Sequence, residues 1–203
     1  MNLEEILNKI NDNYLMAIIR ANTSEELLMI VDEVVAGGIK SIEITYSNFD
    51  VSEVLNKINN KYNDKILLGA GTVLDKDTAL KAINSGAKYI VAPNFEKEVA
   101  LVCNEKQVPY LAGCATASEV ANALKNKANI IKAFPAHLLK ESFIKDMKGP
   151  FPKVKIMPSG GINLENALLW KQAGAFAIGI GSDLYKDKNK IKEKTKEYVK
   201  LLK

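Results

Sequence analysis

The sequence predicts an α/β protein folded as a (β/α)8 barrel, or TIM barrel, with a short N-terminal helix. Eight short apolar runs are each followed by an amphipathic stretch, and the ends of these runs recur about 20 to 26 residues apart. Strands that alternate with helices in this way form a parallel sheet, and eight such units in 203 residues fit a compact barrel. An open doubly wound sheet is the alternative. It normally carries a Gly-x-Gly-x-x-Gly turn after the first strand, where this chain has Arg20-Ala21-Asn22.

The individual elements follow from apolar runs, helix caps and glycine or proline stops. Thr23 and Asp75 are typical helix caps, and Gly37-Gly38 is a typical helix stop. The predicted strands cover residues 14–19, 39–45, 65–70, 88–92, 109–113, 130–134, 154–158 and 175–180. The predicted helices cover residues 3–11, 23–37, 51–60, 75–85, 96–106, 117–126, 139–147, 164–173 and part of 186–203. No linker or low-complexity segment interrupts the series, so we expect one domain over residues 1–203.

The composition argues against several classes of protein. Hydrophobic residues make up 47% of the chain and charged residues 26%, with a net charge of +4, as in ordinary globular proteins. Lysines are dense only over 186–203, where apolar residues at near-helical spacing favour a solvated helix face over a nucleic-acid patch. The N-terminus lacks a signal-peptide pattern, and no apolar run approaches the roughly 18 residues that cross a membrane. We therefore expect a cytoplasmic protein.

Cysteine and histidine usage predicts neither disulfides nor a metal site. Cys103 and Cys114 lie in no Cys-x-x-Cys pattern. His137 is the single histidine, so it has no second histidine with which to share a metal ion.

Two charged side chains interrupt apolar strands. Lys132 lies within Ile130-Ile131-Lys132-Ala133-Phe134-Pro135, and Glu43 lies between two isoleucines. Such residues are almost never fully buried unless they are paired. Burial favours the neutral amine of a lysine, and a neutral amine can attack a carbonyl group to form a Schiff base. The structural alternatives are a lysine that snorkels to solvent and a buried salt bridge between the two side chains.

The unusual residues gather where barrel enzymes keep their active sites, at the C-terminal ends of the strands. Arg20, Glu43, Thr72, Pro93 and Lys132 lie on or directly after five predicted strands. Scattered structural residues would not be expected to align in this way. We therefore predict that Lys132 is a Schiff-base nucleophile for a 2-keto acid and that Glu43 transfers protons.

Glycine-rich turns follow the seventh and eighth predicted strands. Ser159-Gly160-Gly161 follows one, and Gly181-Ser182 follows the other. Phosphate sites in barrels are often built from these two loops, where glycine lets the backbone approach the anion closely. We predict a phosphate site from the two turns together, although each turn alone could be an ordinary connection.

These motifs together resemble the class I 2-keto-3-deoxy-6-phosphogluconate (KDPG) aldolases, also called 4-hydroxy-2-oxoglutarate (KHG) aldolases. The resemblance runs nearly end to end and is carried by Ile42-Glu43-Ile44-Thr45, Gly69-Ala70-Gly71-Thr72-Val73, Val91-Ala92-Pro93, Ile131-Lys132-Ala133-Phe134-Pro135, Gly149-Pro150-Phe151, Pro158-Ser159-Gly160-Gly161-Ile162 and Gly179-Ile180-Gly181-Ser182. It implies a homotrimeric barrel without metal or cofactor that cleaves the sugar acid to pyruvate and glyceraldehyde 3-phosphate. Its expected partners are the small 2-keto acid and phosphorylated aldehyde substrates, not nucleic acid or a membrane.

The resemblance also implies a role for each matching residue. Lys132 matches the Schiff-base lysine, and Glu43 matches the general acid/base. The residues that match or neighbour the substrate-binding positions are Thr72, Pro93, Phe134 and Ser159. The residues that match the phosphate loops are Gly160, Gly161, Gly181 and Ser182.

The chain departs from the family pattern at two positions. Some members hold the substrate carboxylate with an arginine in a Thr-x-Arg pattern, where this chain has Ser47. We predict that Arg20 supplies that charge instead. Many members have threonine where this chain has Ser159, which leaves open the stereochemical preference at the fourth carbon.

Several functions remain as alternatives at this point. The substrate could be the phosphogluconate, the phosphogalactonate or unphosphorylated KHG. A phosphate-binding barrel isomerase or epimerase would share the two glycine turns without needing Lys132. A non-catalytic protein that binds a phosphorylated ligand would need neither Lys132 nor Glu43.

Overall fold

The computed structural model describes residues 1–46 and 49–202. Its strands are β1 Leu15–Ile19, β2 Ser41–Thr45, β3 Leu67–Gly71, β4 Ile90–Val91, β5 Tyr110–Cys114, β6 Ile130–Ala133, β7 Ile156–Pro158 and β8 Ile178–Ile180. Its helices are α1 Leu3–Asn13, α2 Ser24–Gly37, α3 Ser52–Tyr62, α4 Lys76–Asn84, α5 Lys97–Lys106, α6 Ala117–Lys125, α7 Ala136–Leu139, α8 Ser142–Lys148, α9 Ala167–Gln172 and α10 Ile191–Leu202. Short 3-10 turns occupy Asn63–Lys65 and Ser182–Leu184.

The eight strands form one parallel sheet in the order β7-β6-β5-β4-β3-β2-β1-β8. The two outer strands of this order meet through a parallel bridge between Ser159 and Gly179. The Phe176 N–H also donates to the Ile156 carbonyl at 2.8 Å. The sheet therefore curls into a barrel with helices outside it, and the predicted (β/α)8 fold with an N-terminal helix is confirmed.

The inside of the barrel is apolar at its N-terminal end. Ile6, Leu7 and Ile10 on one face of α1 pack against a layer of inward-facing strand residues. That layer consists of Met16, Leu67, Tyr89, Val91, Leu111, Ile130, Met157 and Ala177. Because side chains alternate along a strand, residues two positions further on face the same interior, nearer its C-terminal mouth. The helix thus closes one end of the barrel and leaves the other end for a site.

A larger core lies between the strands and the surrounding helices. All five residues of β2, β3 and β5 are buried, as expected for strands covered on both faces. The helices begin at the predicted caps: the Thr23 hydroxyl accepts from the Glu26 N–H, and the Asp75 carboxylate accepts from the Thr78 N–H.

The structure departs from the predicted elements mainly after β6. The helix predicted over 139–147 corresponds to α8, which begins later than predicted. The short helix α7 before it was not predicted, and the two helices are separated at Lys140, whose φ is 59°. A residue in this conformation cannot continue a right-handed helix, so the chain turns before α8 begins. Within the described residues, Cys103 and Cys114 are buried free thiols, and no helix is long and apolar enough to cross a membrane.

Candidate active site

A cavity of about 650 Å³ opens at the C-terminal ends of the strands. Its lining includes every residue that the sequence marked as a site candidate: Arg20, Glu43, Thr72, Pro93, Lys132, Phe134, Ser159, Gly160, Gly161, Gly181 and Ser182. The structure therefore brings these residues together, while their individual roles stay predictions.

Lys132 and Glu43 face each other across the barrel interior, from β6 and β2. The Lys132 Nζ lies 3.8 Å from the Glu43 Oε1 and 5.3 Å from the centre of the Phe134 ring. Lys132 is 5% exposed and Glu43 is 0% exposed. The lysine therefore does not snorkel to solvent. Among residues 1–46 and 49–202, neither carboxyl oxygen of Glu43 has a hydrogen-bond partner, so the carboxyl group is not saturated by structural contacts.

The backbone of β3 makes room for the Glu43 side chain. A Cβ atom at Gly71 would overlap the Glu43 carboxyl group, so glycine is required by this close approach. Burial raises the pKa of Glu43, while the positive charges of Lys132 and Arg20 oppose that rise. The Glu43 carboxyl group therefore holds its proton to a higher pH than an exposed glutamate does, which suits a residue that donates and accepts protons.

Arg20 lies at the mouth of the cavity, where β1 ends. It is the only arginine in the sequence. Its Nη2 donates to the Thr72 Oγ1 at 3.1 Å, and Thr72 has a left-handed φ of 58°, which is a strained conformation for a β-branched residue. The Arg20 N–H donates to the Tyr185 hydroxyl, which itself donates to the Ile18 carbonyl. Ser47, the departure from the family pattern, lies outside the described residues.

The loops after β7 and β8 also line the cavity. Gly160 and Gly161 have φ values of 90° and 82°, which favour glycine. Their carbonyl oxygens accept hydrogen bonds from the His137 N–H and the Asn166 side chain. Within residues 1–46 and 49–202, the N–H groups of Gly161, Ser182 and Asp183 donate to no acceptor. These donors remain available to an anion.

Several lining residues were missed by reasoning from the sequence. They are Ile18, Thr45, Ile162, Asn163, Asp183, Tyr185 and Lys186. Thr45 could have been found from its position at the end of β2. Asp183, Tyr185 and Lys186 directly follow Gly181-Ser182, so extending that turn along the chain would have found them.

Comparison with known proteins identifies the family. The model of the KDPG and KHG aldolases matches residues 6–201. The chain belongs to this family. A 2-dehydro-3-deoxy-6-phosphogalactonate aldolase of Escherichia coli K12 is 34% identical over 173 residues, which are 85% of this chain and 84% of that protein. A 2-dehydro-3-deoxy-phosphogluconate aldolase of Treponema pallidum is 34% identical over 143 residues, which are 70% of this chain and 68% of that protein.

The fold of this aldolase also matches solved structures. One described as native KDPGal superposes with a TM-score of 0.86 and 31% sequence identity, over 92% of this chain and 93% of that one. The family membership removes the support for an isomerase, an epimerase or a non-catalytic binding protein.

The raised pKa of Glu43 predicts a pH-dependent effect of Glu43→Gln on the stability of the aldolase. The native carboxyl group holds its proton more tightly than in the unfolded chain, where the ordinary value is 4.5. The contribution of Glu43 to the free energy of unfolding is therefore fully present below that pH and is lost as the pH rises through the raised native pKa. Glutamine cannot ionise. We expect the free energy of unfolding of the variant, relative to the parent, to be higher at pH 7.5 than at pH 4, by about 1.4 kcal/mol per unit of pKa difference.

Urea unfolding at the two pH values measures this difference. Glu53→Gln is the matched control, because the Glu53 side chain is 80% exposed. Its effect should change little between the two values. An equal effect of Glu43→Gln at pH 4 and pH 7.5 would contradict the raised pKa.

Proposed function

We propose that this chain is a class I aldolase that reversibly cleaves KDPG to pyruvate and glyceraldehyde 3-phosphate. The observation that carries the proposal is the pair of Lys132 and Glu43, buried 3.8 Å apart at the C-terminal mouth of the barrel. A purely structural ion pair at this depth would contribute little net stability, because desolvation of the two charges offsets their attraction. An amine nucleophile beside a proton-transfer group is what Schiff-base chemistry requires.

The proposed reaction assigns one role to each side chain. The Lys132 amine, once deprotonated, attacks the 2-keto carbon, and loss of water from the carbinolamine gives an imine. The Glu43 carboxylate then takes the proton of the 4-hydroxyl group, and the bond between the third and fourth carbons breaks. Glyceraldehyde 3-phosphate leaves as the aldehyde, and the electron pair of the broken bond forms an enamine with the imine. Protonation of the resulting enamine and hydrolysis release pyruvate. Glu43 lies close enough to Lys132 to carry protons in the dehydration and enamine steps.

The cavity lining offers partners for both charged ends of this substrate. Arg20 would bind the carboxylate, since a guanidinium presents paired donors to a planar anion. Thr72, Pro93, Phe134 and Ser159 would surround the carbon chain. The phosphate would lie against the backbone of the loops after β7 and β8, the two turns that contain Gly160-Gly161 and Gly181-Ser182.

The phosphogalactonate is a second candidate substrate. It is supported by the E. coli K12 relative and by the solved structure described as native KDPGal. Unphosphorylated KHG is a third candidate, because the keto-acid end is the same.

We make three further proposals, on the domain organisation, the assembly and the location of the protein. We propose that residues 1–203 form one domain, since the eight strands share one sheet. The family resemblance supports a homotrimer, and the molecular mass in solution would test it. A cytoplasmic location stays a prediction, which cell fractionation would test.

Release of pyruvate from KDPG, the phosphogalactonate and KHG tests the proposed function. We expect the parent to turn over a phosphorylated substrate with a higher kcat/KM than KHG, because only a substrate with a phosphate group can bind the loops after β7 and β8. Lys132→Met should lower kcat by about three orders of magnitude or more, as expected when a covalent nucleophile is lost. A coupled dehydrogenase assay measures the pyruvate. Turnover that survives in Lys132→Met would contradict the assignment.

Replacement of Arg20 tests the carboxylate end. We expect Arg20→Ala to raise the KM for the cleaved substrate about ten-fold or more, since a charge-assisted hydrogen bond is worth roughly 1.5–3 kcal/mol. Arg20→Lys keeps the charge but loses the paired donors, so its KM should be intermediate. Steady-state kinetics and pyruvate affinity provide the measurements. Unchanged pyruvate affinity in Arg20→Ala would refute the role.

A further inference from the structure

Asp183 places a carboxylate at the phosphate end of the cavity. It lines the cavity directly after Ser182 and lies within the 3-10 turn Ser182–Leu184. A negative charge beside a phosphate site is unfavourable unless it is paired or held away from the anion. The contacts of this carboxylate therefore bear on how well the loop receives a phosphate.

The terminal helix α10 supplies those contacts. The Tyr198 hydroxyl donates to the Asp183 Oδ2 at 2.5 Å, and the Lys194 Nζ lies 3.6 Å from the same oxygen. Tyr198 is fully buried, so its ring is fixed by the packing of α10. The pKa of the Tyr198 hydroxyl is raised by burial and by this hydrogen bond, so the hydroxyl stays a donor.

Because Asp183 is paired with Tyr198 and Lys194, the charge of Lys186 is the one left to face a phosphate. Lys186 lines the same cavity, and the salt bridges of the described residues do not include it. Tyr185, which follows Asp183 by two residues, links the loop to the end of β1. Its hydroxyl donates to the Ile18 carbonyl and accepts from the Arg20 N–H. The loop after β8 is thus held by α10 at Asp183 and by β1 at Tyr185.

We propose that Tyr198 and Lys194 are positioning residues for the phosphate end of the cavity. They hold the Asp183 carboxylate, which keeps the N–H groups of Ser182 and Asp183 in place for an anion and keeps the negative charge of Asp183 from displacing it. This inference rests on the proposed function, because it concerns the same cavity. It adds that the terminal helix, which contributes no residue to the cavity lining, controls recognition of the phosphate.

The chain contains a matched control for this arrangement. Between α2 and α3, the Tyr62 hydroxyl donates to the Asp32 Oδ1 at 2.6 Å, and the Lys61 Nζ lies 2.6 Å from the Asp32 Oδ2. These three residues do not line the cavity. Tyr62→Phe therefore removes a similar hydrogen bond without affecting the phosphate end.

Calorimetric binding of glycerol 3-phosphate to the full chain tests the inference, with covalent capture of pyruvate by cyanoborohydride as a phosphate-free reference. We expect Tyr198→Phe to weaken glycerol 3-phosphate binding about five-fold or more, as expected for a lost hydrogen bond to a charged group. Tyr62→Phe should leave the affinity within about two-fold of the parent. Both variants should capture pyruvate at the parental rate.

Two further variants separate positioning from general destabilisation. Asp183→Asn keeps an acceptor for the Tyr198 hydroxyl, so its loss of glycerol 3-phosphate affinity should be smaller than that of Asp183→Ala. Equal affinity in Tyr198→Phe and Tyr62→Phe, or no binding of glycerol 3-phosphate by the parent, would overturn the inference. Failure of the parent to capture pyruvate would instead refute the proposed lysine chemistry, while the phosphate measurements would still decide the role of α10.

Discussion

The burial of two ionisable side chains inside the barrel is the constraint on which the site depends. Lys132 and Glu43 are both removed from water, and 3.8 Å separates the amine from the carboxyl group. When two such groups are ionised, removal of one leaves an uncompensated buried charge, at a cost of roughly 3–5 kcal/mol. The surrounding fold has to supply enough stability to tolerate this arrangement. That requirement explains the extensive apolar packing below and around the pair.

The alternation of side chains along the strands places two layers inside the barrel: an apolar layer near α1 and, above it, the layer that contains Lys132 and Glu43. Ile130 faces the barrel interior within the apolar layer that α1 closes, and Lys132 follows two residues later on the same face. Glu43 pairs in register with Gly69 on β3, and Gly71 leaves the space that its carboxyl group occupies. The apolar layer excludes water from beneath the pair. The mouth above it is open to a substrate, so the same burial that disfavours the charged forms also prepares the two groups for proton transfer and nucleophilic attack.

Much of this organisation could be predicted from the sequence because it depends on local patterns. The alternation of strands and helices predicted the barrel, and charged residues within apolar runs predicted the site. The break at Lys140 could not be predicted, because Lys140 carries no glycine or proline signal. The pairing of Asp183 with Tyr198 depends on how α10 docks, which no local pattern describes. Arg20 was predicted from its strand, although its status as the only arginine was a further signal in the sequence.

The most direct measurement of the central claim is mass spectrometry of the full-length protein after treatment with pyruvate and borohydride. The account predicts one reduced pyruvate adduct per chain, located by peptide mapping at Lys132, and no adduct in Lys132→Met. The remaining lysines provide an internal comparison, since most of them are exposed. The absence of an adduct, or an adduct at a lysine outside the cavity, would contradict the assignment of Lys132 as the Schiff-base nucleophile.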